Sequence, residues 1–265
     1  MQTVLRAYAD YIRANATSGR DVEQVGPFTA TFTGHTANPY LSYAIPLEGA
    51  APTDDDVRAL VGAFRRRGRL PRLEFFPVLA PQVAPRLDAA GFTVERRIPL
   101  MACTPPDLRP IPMPDGVAVR LPAGDGEYLA AASVQHDAYE ELGPAGPDDA
   151  ARLRRLAEGG GVVVVAVVEA TGEAAGAGLC DAIHHSLGEL AGIGVRSRFR
   201  RRGIAAAITH RLAQAAFAAG AATVFLTPGG PAEQRIYQRV GFTPIAEQVH
   251  LSLRPDESVQ RHPSS

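Results

Sequence analysis

A helix, a strand, a second helix, a Gly-Phe pair and a closing strand are signalled twice along this chain of 265 residues, at matched spacing. In the first half, "TDDDVRALVGAFRRRG" reads as a helix with Thr53 as its N-cap. "LPRLEFF" follows as a strand, "APQVAPRLDAA" as a helix, and Gly91-Phe92 opens the last strand. In the second half a helix opens at Gly203, "ATVFLTP" is a β-branched strand, "PAEQRIYQRV" is a helix, and Gly241-Phe242 opens the last strand. From helix start to Gly-Phe is 37 residues in one copy (Asp54 to Gly91) and 38 in the other (Gly203 to Gly241). Such a repeat predicts two α/β units of one plan. "CTPPDLRPIPMPDG", with five prolines over 103–116, reads as an extended linker between them. The expected division is a first domain over 1–102, the linker, a second domain over 117–255, and a flexible tail over 256–265.

The second half is legible further upstream. "VAVRLP" is a strand, "GEYLAAASVQHDAYEEL" and "PDDAARLRRLAEGG" are helices, and the valine run of "GVVVVAVVEA" is a buried strand. "GEAAGAGLCDAI" and "SLGELAGIGV" form an antiparallel pair that turns near His184 to Gly188. A mixed sheet flanked by helices results. "MQTVLRAYADYIRANA" reads as an amphipathic helix without the apolar core of a signal peptide, and no run approaches the roughly 20 apolar residues that span a bilayer. A soluble, cytoplasmic protein without membrane contact is therefore expected. Cys103 and Cys180 form neither a disulfide framework nor a metal spacing, and Cys180 reads as a core cysteine. All basic side chains other than histidine are arginines, which excludes Schiff-base and phosphate-loop lysine chemistry. No metal site is expected.

The feature with chemical content is "RSRFRRRG". Five arginines fall in the seven residues after the strand ending at Val195, and Gly203 then opens an alanine-rich helix. A solvated basic patch for nucleic acid would use the arginines as scattered charges. An anion site would gather loop and helix N-terminal N–H groups around a phosphate, with the helix dipole and the arginines adding to the field. Position favours the anion. Gly203 lets a backbone approach a ligand, Ala205, Ala206 and Ala207 keep the helix mouth open, and Gly192 and Gly194 leave room on the preceding strand. The near-neutral net charge of −1 and the lack of aromatic platforms beside "RFRRRG" and "FRRRGR" argue against nucleic acid.

These residues carry a resemblance. Arg200-Arg201-Arg202-Gly203-Ile204-Ala205 resembles the acyl-CoA signature of the GNAT N-acetyltransferase superfamily, and "IYQRVGF", residues 236–242, resembles its Tyr-x-x-x-Gly-Phe motif. The resemblance covers about 115–255, and the repeat extends it to a tandem GNAT architecture: two mostly antiparallel twisted sheets flanked by helices. It implies that Ile193, Gly194 and Val195 border the pantetheine arm of acetyl-CoA, with the backbone of Ile193 and Val195 pairing to it. N–H groups from Arg201 to Ala206 would hold the pyrophosphate. Tyr237 would protonate the leaving thiolate, a transfer that ordinary values of about 10 and 8.5 permit without a large shift. Glu189 is the implied general base towards a primary amine, with Asp181, Glu140 or Glu141 as alternatives that orient a cationic amine. The family often has an asparagine seven residues before the tyrosine, where Gly230 stands here.

In the same register the first half has Asp54, Asp55 and Asp56 where a pyrophosphate would sit, and Leu87 in place of Tyr237. It reads as a GNAT-like half without a site. The implied activity is acetyl transfer to an amine by direct attack in a ternary complex. An acyl-CoA-binding module without turnover is the alternative.

Overall fold

The computed structural model describes residues 2–33, 41–139 and 143–254. The elements read from sequence form where expected: α2 at Asp54–Arg66, β4 at Arg72–Phe75, α3 at Val83–Ala89 and β5 at Thr93–Cys103 in the first copy. Their counterparts are α6 at Ile204–Ala218, β10 at Thr223–Leu226, α7 at Pro231–Val240 and β11 at Thr243–Ser252. The Gly-Phe corners match at the level of single hydrogen bonds. Phe92 N donates to Leu87 O and Phe242 N to Tyr237 O, both at 3.0 Å. Gly91 and Gly241 sit at φ 85° and 118°, left-handed conformations that end each helix and turn the chain into the last strand.

Upstream of the first copy lie α1 at Gln2–Thr17 and a meander of β1 (Asp21–Val25), β2 (Phe28–Phe32) and β3 (Tyr43–Pro46). Upstream of the second are β6 (Val117–Arg120), α4 (Asp125–Tyr139), α5 (Pro147–Glu158), β7 (Val162–Val168), β8 (Ala174–Cys180) and β9 (Leu187–Val195). Strands β1 to β3 have no counterpart among the elements expected from the sequence.

The chain forms two compact units, one of Met1–Ile98 with Ala246–Ser265 and one of Pro99–Ile245. The expected boundaries at 102 and 117 therefore do not coincide with the compact units. Each final strand begins in its own unit and ends in the other. β5 is mostly exposed over Thr93–Arg97 and mostly buried over Ile98–Cys103, where it pairs antiparallel with β10 (Met101↔Leu226, Cys103↔Val224). β11 repeats the pattern, its buried end pairing with β4 (Val249↔Phe75, Ser252↔Arg72). Met101 and Cys103 thus fill the core of the second unit, and Val249 and Leu251 that of the first. The proline-rich stretch is also no free spacer: Leu108 and Ile111 pack against the second core, and Arg109 N donates to Val240 O at 2.9 Å.

In the second unit the sheet is buried on both faces. Val162, Val164 and Ala166 of β7 join the α6 side, while Val163, Val165 and Val167 join the side covered by α4 and α5. This is why β7 reads as a continuous apolar run.

Candidate functional site: the open edge of β9 and the start of α6

β8 and β9 pair antiparallel, Cys180↔Leu190 and Leu179↔Ala191, then Ala177↔Gly194 and Gly176↔Val195. One extra residue therefore sits on β9, a bulge at Gly192 (φ 58°) and Ile193. Gln135 of α4, 6% exposed, pins it by donating from Nε2 to Gly192 O at 3.0 Å. A Cβ at Gly192 would lie 2.3 Å from that nitrogen, and one at Gly194 would lie 2.6 Å from the Cβ of Ala138. The glycines do not leave room for a ligand, contrary to expectation; α4 fills the space they provide.

The opening is on the strand edge instead. β9 runs parallel to β10 only from Leu187↔Thr223 to Glu189↔Phe225. From Leu190 to Val195 no strand pairs with that edge among the described residues. Arg196 N donates to Ala175 O at 3.0 Å, so in an alternating ladder the backbone groups of Ile193 and Val195 face the open edge. There Ile193 O accepts from the Tyr139 hydroxyl at 3.4 Å and Val195 O from Arg200 Nε at 3.1 Å.

The arginine cluster divides. Arg196 is held by Asp137 (2.7 Å), Glu173 (3.4 Å) and Ala174 O (2.9 Å), Arg198 by Glu173, and Arg200 by Val195 O. Arg201 and Arg202 are exposed and have no ion pair among the described residues. Arg201 at φ 65° and Gly203 at φ 82° turn the loop into α6, whose first turn has no side-chain cap and no acid. The N–H groups of Ile204, Ala205 and Ala206 thus face outward beside two unspent guanidinium groups. The counterpart α2 is closed by its own side chains. Thr53 and Asp56 form a capping box, Arg86 pairs with Asp54 at 2.7 Å, and Arg58 pairs with Asp55. Hydrogen bonds from Thr53 hold the Asp56 carboxyl below its ordinary value, so it stays anionic at the helix start. The second basic run is likewise consumed locally. Arg66 and Arg67 pair with Glu23, Arg67 also lies 4.2 Å over the Phe32 ring, and Arg69 donates to Thr33 O at 2.8 Å.

Tyr237 of α7 is 7% exposed, and its ring lies 6.3 Å from that of Phe242. Burial, then the nearby Tyr139 and Glu233, push its phenol well above the ordinary value of 10. Complete proton transfer to a thiolate is therefore uphill, which corrects the expectation of matched values; the hydroxyl is a firm hydrogen-bond donor. Glu189 is partly buried, and its backbone O accepts from Asp181 N at 3.0 Å. By strand alternation Glu189 shares the α4 side with Ala191, whereas Tyr237 packs on the α6 side with Leu190. The two side chains are reached from opposite faces of β9. Burial raises the Asp181 carboxyl, against Arg152 and His184. Burial, then Asp181 and Glu189, push the Cys180 thiol up to about 12, so it remains a protonated core thiol. Glu140 and Glu141 lie outside the described residues.

Tyr139, Gln135 and Glu233 were not singled out from sequence. The spacing 135, 138, 139 marks one helix face, but only the packing of α4 on the bulge gives it meaning.

Residues 130–242 match the model of the Acetyltransferase (GNAT) family. The match lies within the second unit, and members of that family are acyl-CoA-dependent acyltransferases as a class. Over both units the chain is similar to a GCN5-related N-acetyltransferase from Kribbella flavida, with 27% identity, 96% of each chain covered and a TM-score of 0.77. A GCN5-related N-acetyltransferase from Sphaerobacter thermophilus shares the fold at 18% identity, with 86% of this chain and 78% of that one covered and a TM-score of 0.65. So does a tandem GNAT protein from the clavulanic acid biosynthesis pathway, at 13% identity, 87% and 79% coverage and a TM-score of 0.60. The architecture is thus that of tandem GNAT-like domains. No curated protein sequence matches this chain. Among the described residues no helix is long and apolar enough to cross a membrane, and no three potential ligand side chains gather as a metal site.

Proposed function

We propose that the second unit moves an acetyl or other short acyl group from acyl-CoA to a primary amine. The observation that carries this reading is the uncapped start of α6, with Arg201, Arg202 and left-handed Gly203, beside the unpaired edge of β9. The α6 N–H groups from Ile204 to Ala206 and the two arginines would take the pyrophosphate. The pantetheine arm would add to the edge at Ile193 and Val195, sharing or displacing the Tyr139 and Arg200 contacts. The amine nitrogen attacks the thioester carbonyl carbon, the carbon–sulfur bond breaks, and CoA leaves as a thiolate. The Tyr237 hydroxyl stabilises that thiolate by donating a hydrogen bond. Glu189 or Asp181 takes the proton that the ammonium group must lose before attack.

The acyl-CoA-binding module without turnover is the second reading. Its support is the burial of Tyr237, which also suits a purely packing role. A thiol-release assay with acetyl-CoA and a panel of amines separates the two. The cofactor seat has its own test. Gly203→Asp brings a carboxylate and a strained left-handed side chain to the helix start, and acetyl-CoA affinity should fall at least about tenfold, roughly 1.4 kcal/mol. Titration calorimetry should count one acetyl-CoA per chain, because α2 is closed by Asp56. Unchanged affinity in a folded Gly203→Asp variant, or two equivalent sites, overturns the assignment.

A further inference from the structure

In the first unit β3 and β4 are also parallel neighbours, and they share a single register pair, Ala44↔Leu73. Beyond it the ends of the two strands line a cavity that α1 covers. In element order this is the counterpart of the gap between β9 and β10. The helix start beside it has been closed by Thr53 and Asp56, yet the gap itself is kept.

Its lining is specific. Arg13 of α1 donates from Nη2 to Pro46 O at 3.1 Å, but its Nε–H is buried without an acceptor. A buried donor without a partner is rare, and here it lies in the wall of a cavity. Gln248 is 6% exposed; its Oε1 accepts from His250 Nε2 at 3.4 Å, leaving its amide N–H groups for the cavity. Arg72 engages Glu74 Oε1 from behind. Arg6 at the rim is spent on Glu48 at 2.6 Å, and Asp10 is exposed nearby. Two cations and three carboxylates line the cavity, and most of the remaining wall is apolar, including Ile45, Phe75 and Leu79. The donors suit an acceptor oxygen, the carboxylates of Asp10 and Glu74 suit an amine, and the apolar wall suits a short hydrocarbon group. No diphosphate seat adjoins them.

We propose that this cavity of the first unit binds a free apolar amino acid. Its carboxylate accepts from Arg13 Nε and Gln248, its ammonium group faces Glu74 and Asp10, and its side chain packs on the apolar wall.

Calorimetric titration of the full chain with leucine and phenylalanine tests this, with isoamylamine and isovalerate as half-ligands. One amino acid should bind per chain, and each half-ligand should bind at least about tenfold more weakly. Arg13→Met should weaken leucine at least about tenfold, with parental far-UV circular dichroism and an unchanged urea unfolding profile as the proof of folding. Ala9→Phe, which fills the cavity from α1, should do the same if Arg13→Met does not fold. Glu189→Gln should leave leucine binding intact. No binding at millimolar leucine or phenylalanine overturns the proposal, as does binding that survives both cavity variants. Binding lost in Glu189→Gln but kept in Arg13→Met places the amino acid in the second unit, which also overturns it.

Discussion

Arg72→Met should destabilise the protein by about 3–5 kcal/mol, the range for removing one partner of a buried ion cluster. Arg72 is 2% exposed in the first unit; Nε donates to Glu95 at 2.9 Å, Nη1 to Glu74 and Nη2 to His250 Nδ1 at 2.8 Å. Methionine would fill the space but leave two carboxylates without their cation. Replacing Arg72, Glu74 and Glu95 together by Met, Leu and Leu should recover most of the loss, because the charges then leave as a set. Urea unfolding followed by far-UV circular dichroism reads both, and a single variant within 1 kcal/mol of the parent would mean the cluster is hydrated. The same cluster sets an acid limit. Burial lowers the His250 pKa from 6.5; Glu74 opposes this and Arg72 adds to it, so the folded imidazole stays neutral, with Nε2–H donated to Gln248. The unfolded chain takes up a proton near 6.5 and the folded chain resists. This contribution is therefore complete above that pH and declines as pH falls through the lower folded value. His250→Gln should flatten the decline.

Tyr237→Phe should lower acyl transfer about 10²-fold, the low end for general acid or hydrogen-bond assistance, while acetyl-CoA affinity changes little. The ring keeps its packing on Phe242, and the phosphate seat is on another element. Loss of kcat and kcat/KM together would mark an interaction made in the transition state. Because the phenol is raised rather than lowered, the parent should show no fall in rate from tyrosine ionisation near pH 10. Glu189→Gln should slow the reaction at neutral pH and be partly rescued at high pH, where the amine is already free. A Phe variant with parental kcat, under conditions where chemistry limits, would leave Tyr237 a packing residue.

Most helices, the repeated Gly-Phe corner and the strands from β4 onward were legible because their signals are local. Thr53 caps the three residues after it, Gly91 and Gly241 take left-handed turns that few other residues tolerate, and the β7 valine run states its own burial. Glycines 192 and 194 were misread for the opposite reason. What their missing side chains admit is Gln135 and Ala138, more than fifty residues earlier in the chain. Five arginines look alike in sequence; tertiary ion pairs to Asp137 and Glu173 hold Arg196 and Arg198, Arg200 turns back to Val195 O, and Arg201 and Arg202 make no ion pair among the described residues. The order of helix and strand, the glycine at the start of α6 and the three aspartates that close α2 were therefore determined by sequence alone, since each acts within one turn of its own position. Which unit β5 and β11 complete, where the edge of β9 lies open and how far Tyr237 is desolvated were decided only by the tertiary structure, because each depends on partners brought together from distant parts of the chain.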